Sequence, residues 1–219
     1  MASNSRAAEH RRPPRLYLIA AVTDGAEFAA DLPALLHAAD VAALLLRLRG
    51  KAADERALIS TVRRIAPAVQ SLGVALIIDG RPDLVARTSA DGAHLSGITA
   101  LQEALPALKP DRIAGAGLLP TRHDAMLAAE AGADYVMFGE PDGEGNRLSF
   151  AAIVERIAWW ADVFESPCVG YAGSLDEVSE LAAARADFIA VGDLVFTAGD
   201  PLATLASVAQ RLQAEEPAR

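Results

Sequence analysis

One cysteine in 219 residues, Cys168, excludes a disulfide framework. It lies in the apolar run PCVGYAG, where a buried and inert thiol is the expected state, and a reducing cytoplasm is the expected compartment. Aromatic residues make up only 5% of the chain, so its 52% hydrophobic content rests on Ala, Leu, Val and Ile, a mixture suited to helices packed on buried strands. Cations are scarce as well: 20 Lys and Arg face 29 Asp and Glu, for a formal net charge of -9. Nucleic-acid backbones are gripped by many clustered cations, so a general nucleic-acid surface is excluded, and an anionic ligand must meet a local positive site. No apolar stretch reaches the roughly 18 to 20 residues that span a bilayer, which argues against a membrane protein. The opening MASNSRAAEHRRPP carries Arg6, Arg11 and Arg12 without the apolar core of a secretory signal, and reads as a loose tail.

What the sequence does contain is a repeat of short β-branched or Leu-rich runs alternating with longer Ala/Leu/Glu segments. The runs begin RLYLIAAV at Arg15, VAALLLRL at Val41, GVALIID at Gly73, GAHL at Gly92, RIAGAGL at Arg112, YVMFG at Tyr135, PCVGYAG at Pro167 and FIAVGD at Phe188. Helical segments such as ADERALISTVRRIAPAVQSL, RHDAMLAAEAGA and LDEVSELAAARA lie between them. Strand followed by helix, about eight times in about 200 residues, predicts an α/β fold: a single (β/α)8 TIM barrel over residues 15–213, with tails at 1–14 and 214–219. The alternative is an open doubly wound sheet, but no GxGxxG fingerprint follows the first strand. A barrel of this kind places its chemistry at the carboxyl ends of the strands and often holds phosphate in the loops after strands seven and eight.

Three places at those ends could hold an anion. In LRLRGK, Arg47, Arg49 and Lys51 alternate with other residues, so an extended backbone points all three the same way. Charge-assisted bonds of about 1.5 to 3 kcal/mol each would make that a phosphate clamp, and a solvated strand end is the plain alternative. After strand seven, Gly173 allows close backbone approach and Ser174 can cap the next helix and present its amides, although an ordinary capped turn has the same sequence. After strand eight, Gly192 offers another close approach, beside an Asp193 that would repel phosphate.

Taken together, LYLI, LRLRGK, LIIDGRPDLV, ADGAHLSG, EAGADYVMFG and PCVGYAG resemble the thiamine phosphate synthase and TenI family, in register from about Arg15 to Phe196. The resemblance implies a barrel that joins a pyrimidine methyl diphosphate to a thiazole phosphate with Mg2+ and releases pyrophosphate, or, in tautomerase members, one that moves a proton on the thiazole. The family's Gln-Leu-Arg-Asp-Lys pattern matches Arg47-Leu48-Arg49-Gly50-Lys51, keeping the diphosphate-holding Arg and Lys and losing the pyrimidine-reading Gln. Its Asn-Asp-Arg after strand three falls on Asp79-Gly80-Arg81, so Arg81 is kept and the metal-binding Asp is not. Its second acidic stretch falls on Ser96-Gly97-Ile98-Thr99, which has no acid. No Mg2+ is therefore expected at the family positions, with Asp79 the candidate substitute ligand and Asp91 a second. The strand-five Ser and His are out of register, leaving His123 as the candidate proton-transfer residue or a polar surface group. Where the family closes a Thr- and Lys-bearing lid, this chain has GEPDGEGNRLSF, an acidic Gly-rich loop in which only Arg147 could replace the Lys. His94 matches a family His but sits in an apolar run, where a satisfied core residue is the expectation. Of the adjacent Trp159 and Trp160, one is expected to pack on the barrel and the other to mark a contact in a homodimer.

Three readings follow. The chain binds a phosphorylated thiazole or pyrimidine precursor with synthase activity weak, altered or absent; it is a non-catalytic ligand- or partner-binding member; or it is a tautomerase-like isomerase acting through His123. The partner in the first is a phosphorylated small molecule, with no nucleic acid and no membrane.

Overall fold

The computed structural model describes residues 13–22, 28–48 and 55–214. Eight parallel strands close on themselves in sequence order: β1 (Arg15–Val22), β2 (Val41–Leu48), β3 (Ala75–Asp79), β4 (Gly92–Ser96), β5 (Ile113–Gly117), β6 (Tyr135–Phe138), β7 (Cys168–Ala172) and β8 (Phe188–Val191). The helices around them are α1 (Phe28–Ala38), α2 (Glu55–Gln70), α3 (Pro82–Thr88), α4 (Gly97–Leu108), α5 (Arg122–Ala131), α6 (Phe150–Val163), α7 (Leu175–Ala183), the short α8 (Asp193–Phe196) and α9 (Pro201–Ala214). The fold is a single (β/α)8 barrel, and the eight predicted strands all form. No helix among the described residues is long and apolar enough to cross a membrane.

The twofold alternation of the strands builds two cores. Leu16, Leu18, Leu44, Leu46, Leu76, Ile78, Val136 and Ile189 face outward into the layer between sheet and helices. Tyr17, Ile19, Leu45, Ile77, Tyr135, Met137, Val169 and Tyr171 face inward and fill the barrel. Cys168 belongs to the outer layer and is buried, as its apolar setting predicts. Trp160 is buried on α6, donates from Nε1 to the Ser166 carbonyl at 2.7 Å and stacks on Phe164. Its neighbour Trp159 is covered within the chain by Arg122, whose guanidinium lies 4.8 Å from the ring centroid.

An aspartate recurs at the amino end of the even strands. Asp91 before β4 accepts from the Leu76 amide at 2.7 Å, Asp134 before β6 from the Ala114 amide at 2.7 Å, and Asp187 before β8 from the Cys168 amide at 2.9 Å. Each carboxylate satisfies a backbone donor at the start of the preceding strand, where the sheet runs out of partners. The motifs ADG and ADY that carry much of the family resemblance are thus structural, and they lie at the end of the barrel away from its chemistry. Asp91 is further held by Gln70 Nε2 at 3.0 and 3.1 Å, so it is no candidate metal ligand at the mouth.

Candidate functional site

At the carboxyl ends of β2, β3, β4 and β6 the inward positions turn polar. Arg47, on the same face of β2 as Ala43 and Leu45, donates from Nε to Asp79 Oδ2 at 2.7 Å and from Nη2 to Glu140 Oε2 at 2.8 Å. Glu140 Oε1 lies 3.0 Å from His94 Nε2, and His94 Nδ1 lies 3.0 Å from the Tyr135 hydroxyl. Tyr135 and Tyr17 share a hydroxyl hydrogen bond of 2.6 Å. The result is a continuous chain of six side chains from the open mouth at Asp79 to the barrel interior at Tyr17. No buried side-chain nitrogen or oxygen among the described residues is left unpaired, which is what makes burial of so many polar groups tolerable.

Two glycines of β5 make room for this chain. A Cβ on Gly115 would stand 2.0 Å from Tyr135 Cζ, and one on Gly117 would stand 1.8 Å from Glu140 Oε1 and 2.5 Å from His94 Nε2. Beyond Ile113 the inward face of β5 is bare, so that the β6 residue and the β6–α6 loop can fill it. Burial works to raise the Glu140 carboxyl, but His94 and Arg47 outweigh it and hold it below the usual carboxylate range. Burial works against the Arg47 charge, and the two carboxylates overcome it, so the guanidinium is held more firmly protonated. The Tyr17 and Tyr135 phenols are both pushed up, chiefly by burial.

The second site lies across the mouth, at the start of α7. Ser174 caps that helix, its hydroxyl accepting from the Glu177 amide at 3.2 Å. The Glu177 carboxylate folds back so that Oε2 accepts from the Gly173 amide at 2.7 Å and from Arg147 Nη1 at 3.0 Å, while Oε1 accepts from Arg147 Nη2. Arg147 reaches this point from the β6–α6 loop. Burial works to raise the Glu177 carboxyl, and the Arg147 hydrogen bond, with help from the Gly173 amide, lowers it instead. Gly192, just after β8, completes this side of the mouth: with Ile19, Arg47, Tyr171 and Asp193 it lines a recess of about 20 Å³.

The residues singled out from sequence therefore fall into distinct places. Gly173, Ser174 and Gly192 gather on the β7–β8 side, and Arg47 and Asp79 meet on the β2–β3 side with the charge of Arg47 directed at two carboxylates. Arg49 and Lys51 lie outside the described residues. Arg81 stands on the rim before α3, bonded to Asp83 at 2.7 Å and Glu55 at 3.0 Å, four strands from Gly173 in the ring order. His123 is exposed on the first turn of α5, which Thr121 caps in a reciprocal pair with Asp124. His94 is a satisfied core residue, as expected, and also a member of the network. Sequence reasoning missed Glu140, read there as part of an acidic Gly-rich loop: its side chain is 2% exposed and plugs the barrel. The available signal was the Gly-Ala-Gly of β5, two inward positions without side chains that something else had to occupy.

Among the described residues the donor set does not fit a family-type Mg2+ site. Hard cations take several oxygen ligands, whereas Asp79 Oδ2 is taken by Arg47 and Asp91 is at the opposite end. Among the described residues no group of three or more His, Cys, Asp or Glu side chains could hold a metal.

A closed parallel barrel with its polar side chains gathered at the carboxyl ends of the strands defines the class, a TIM barrel with its site at the mouth. Within that class the chain belongs to the thiamine monophosphate synthase family of thiamine biosynthesis, whose model matches residues 16–195. It is 41% identical over 182 residues to the thiamine-phosphate synthase of Rhodospirillum centenum, covering 81% of this chain and 86% of that one. With the thiamine-phosphate synthase of Hyphomonas neptunium it shares 34% identity over 203 residues, 88% and 90% of the two chains. The solved thiamine phosphate pyrophosphorylase of Pyrococcus furiosus superposes with a TM-score of 0.77 over 91% of this chain and 96% of that one, at 19% identity, which speaks for the fold alone.

Proposed function

We propose that the chain binds a phosphorylated precursor of thiamine at the carboxyl face of the barrel, with the phosphate over the β7–α7 turn, and that it couples the two precursors slowly or not at all. One observation carries this reading: the Glu177 carboxylate, itself an anion, is held by the Gly173 amide and the Arg147 fork. Backbone amides at a helix start together with a guanidinium are the donor set that a phosphate ester uses. The doubt over turnover rests on the mouth, where Arg47 stands in place of the family's Gln and, among the described residues, no group of acids is placed to hold Mg2+. Calorimetry with thiazole phosphate, beside a coupled assay of pyrophosphate release with both precursors and Mg2+, tests both halves. Expected are a measurable heat of binding and pyrophosphate release that is slow or no faster than without protein. Mg2+-dependent turnover as fast as that of an intact thiamine-phosphate synthase assayed beside it would overturn the second half, and no binding of any phosphorylated precursor would overturn the first.

A further inference from the structure

Arg47 presents one edge of its guanidinium to the mouth network, the edge made by Nε, Cζ and Nη2. The two N–H groups of that edge are divided between two carboxylates, Nε to Asp79 at 2.7 Å and Nη2 to Glu140 at 2.8 Å. A planar N–C–N unit with one donor at each end is also the edge of an amidinium, or of a ring bearing an amino group beside a protonated ring nitrogen. Glu140 is held without Arg47, by His94 at 3.0 Å and by the space over Gly117, and the backbone of Asp79 is set by the pairing of β3 with β4 opposite His94. The Arg47 side chain is about one-fifth exposed and Asp79 likewise, so the edge lies at the surface of the mouth and not deep in the core.

We infer that Asp79 and Glu140 form a recognition site for an amidinium edge, that Arg47 is its built-in occupant, and that Arg47 is thereby the specificity-determining residue that excludes nitrogenous rings carrying that edge. The consequence is that the parent protein takes a phosphate ester without an amidine edge, the thiazole rather than the aminopyrimidine. This rests on the reading of the carboxyl face as the ligand face, but it is tested with probes that contain no phosphate, so the two can fail separately.

The Arg47→Ala variant leaves two carboxylates facing an opening the size of a guanidinium. Acetamidine, methylguanidine and 4-aminopyrimidine are titrated into parent and variant by calorimetry, with tetramethylammonium chloride as the control for cation charge. The expected result is binding of the planar probes to Arg47→Ala at least tenfold tighter than to the parent, with no response to tetramethylammonium, and loss of that gain in the Arg47→Ala/Glu140→Gln double variant. If Arg47→Ala is unfolded alone, millimolar acetamidine is expected to restore its circular dichroism signal. Equal binding by parent and variant, equal response to tetramethylammonium, or an unfolded variant that acetamidine does not restore would each overturn the inference.

Discussion

The Gly173 amide and the Arg147 guanidinium converge on a single carboxylate, that of Glu177, the first at 2.7 Å and the second through Nη1 at 3.0 Å. Both donors are therefore occupied before a ligand arrives, and a phosphate must displace Glu177 to reach them. Glu177→Gln removes the competing charge without removing the amide, the arginine or the Ser174 cap. Affinity for thiazole phosphate is expected to rise by about tenfold, near 1.4 kcal/mol, and Arg147→Met is expected to lower it, both by calorimetry at fixed salt.

Removing Glu140 strands two partners at once. His94 is fully buried and loses the acceptor at Nε2, and among the described residues Arg47 keeps only the Asp79 carboxylate. Breaking a buried pair from one side costs about 3 to 5 kcal/mol, and the partial exposure of Arg47 puts Glu140→Ala at the low end, about 3 kcal/mol. In a domain of this size that is a fall in Tm of roughly 6 to 12 °C, measurable by thermal denaturation.

The same residue sets a pH dependence. The folded Glu140 carboxyl is held below its ordinary value, so the unfolded chain takes up its proton first as pH falls. Its contribution is complete above the unfolded pKa of about 4.3 and is lost as pH falls through the lower folded value. Thermal stability of the parent should decline on acidification below about pH 5. Glu140→Gln should start less stable and show a shallower acid slope.

Gly117 and Gly143 separate space from backbone. A Cβ at 117 would meet Glu140 Oε1 at 1.8 Å, whereas one at 143 would meet nothing within 4 Å. Gly117→Ala is expected to cost about 2 kcal/mol or more through displacement of the plug, and Gly143→Ala to lie within about 0.5 kcal/mol of the parent. Urea denaturation of the two variants side by side checks both values.

The barrel was legible because each strand announces itself by composition and period: Leu44, Leu46 and Leu45 alternate outward and inward as the pattern demands, and the capping of α7 by Ser174 follows from residue type. The mouth was legible only in part. Arg47 and Asp79 were visible as charged residues at strand ends, but their union needs the register of β2 against β3, and Glu140 comes from a loop whose glycines give no sign that its first acid turns inward. Tyr17 and Tyr135 stand 118 positions apart, and nothing short of closing the ring brings their hydroxyls together. Position by position, sequence alone names the charges well and says little of which charge each one faces.

The aspartates at 91, 134 and 187 give the barrel a foundation that owes nothing to its opening. Stitching the strands from beneath leaves the side chains at the rim at liberty to change while the scaffold stands. In a ring built this way, what the opening binds and what keeps the molecule folded are separate matters.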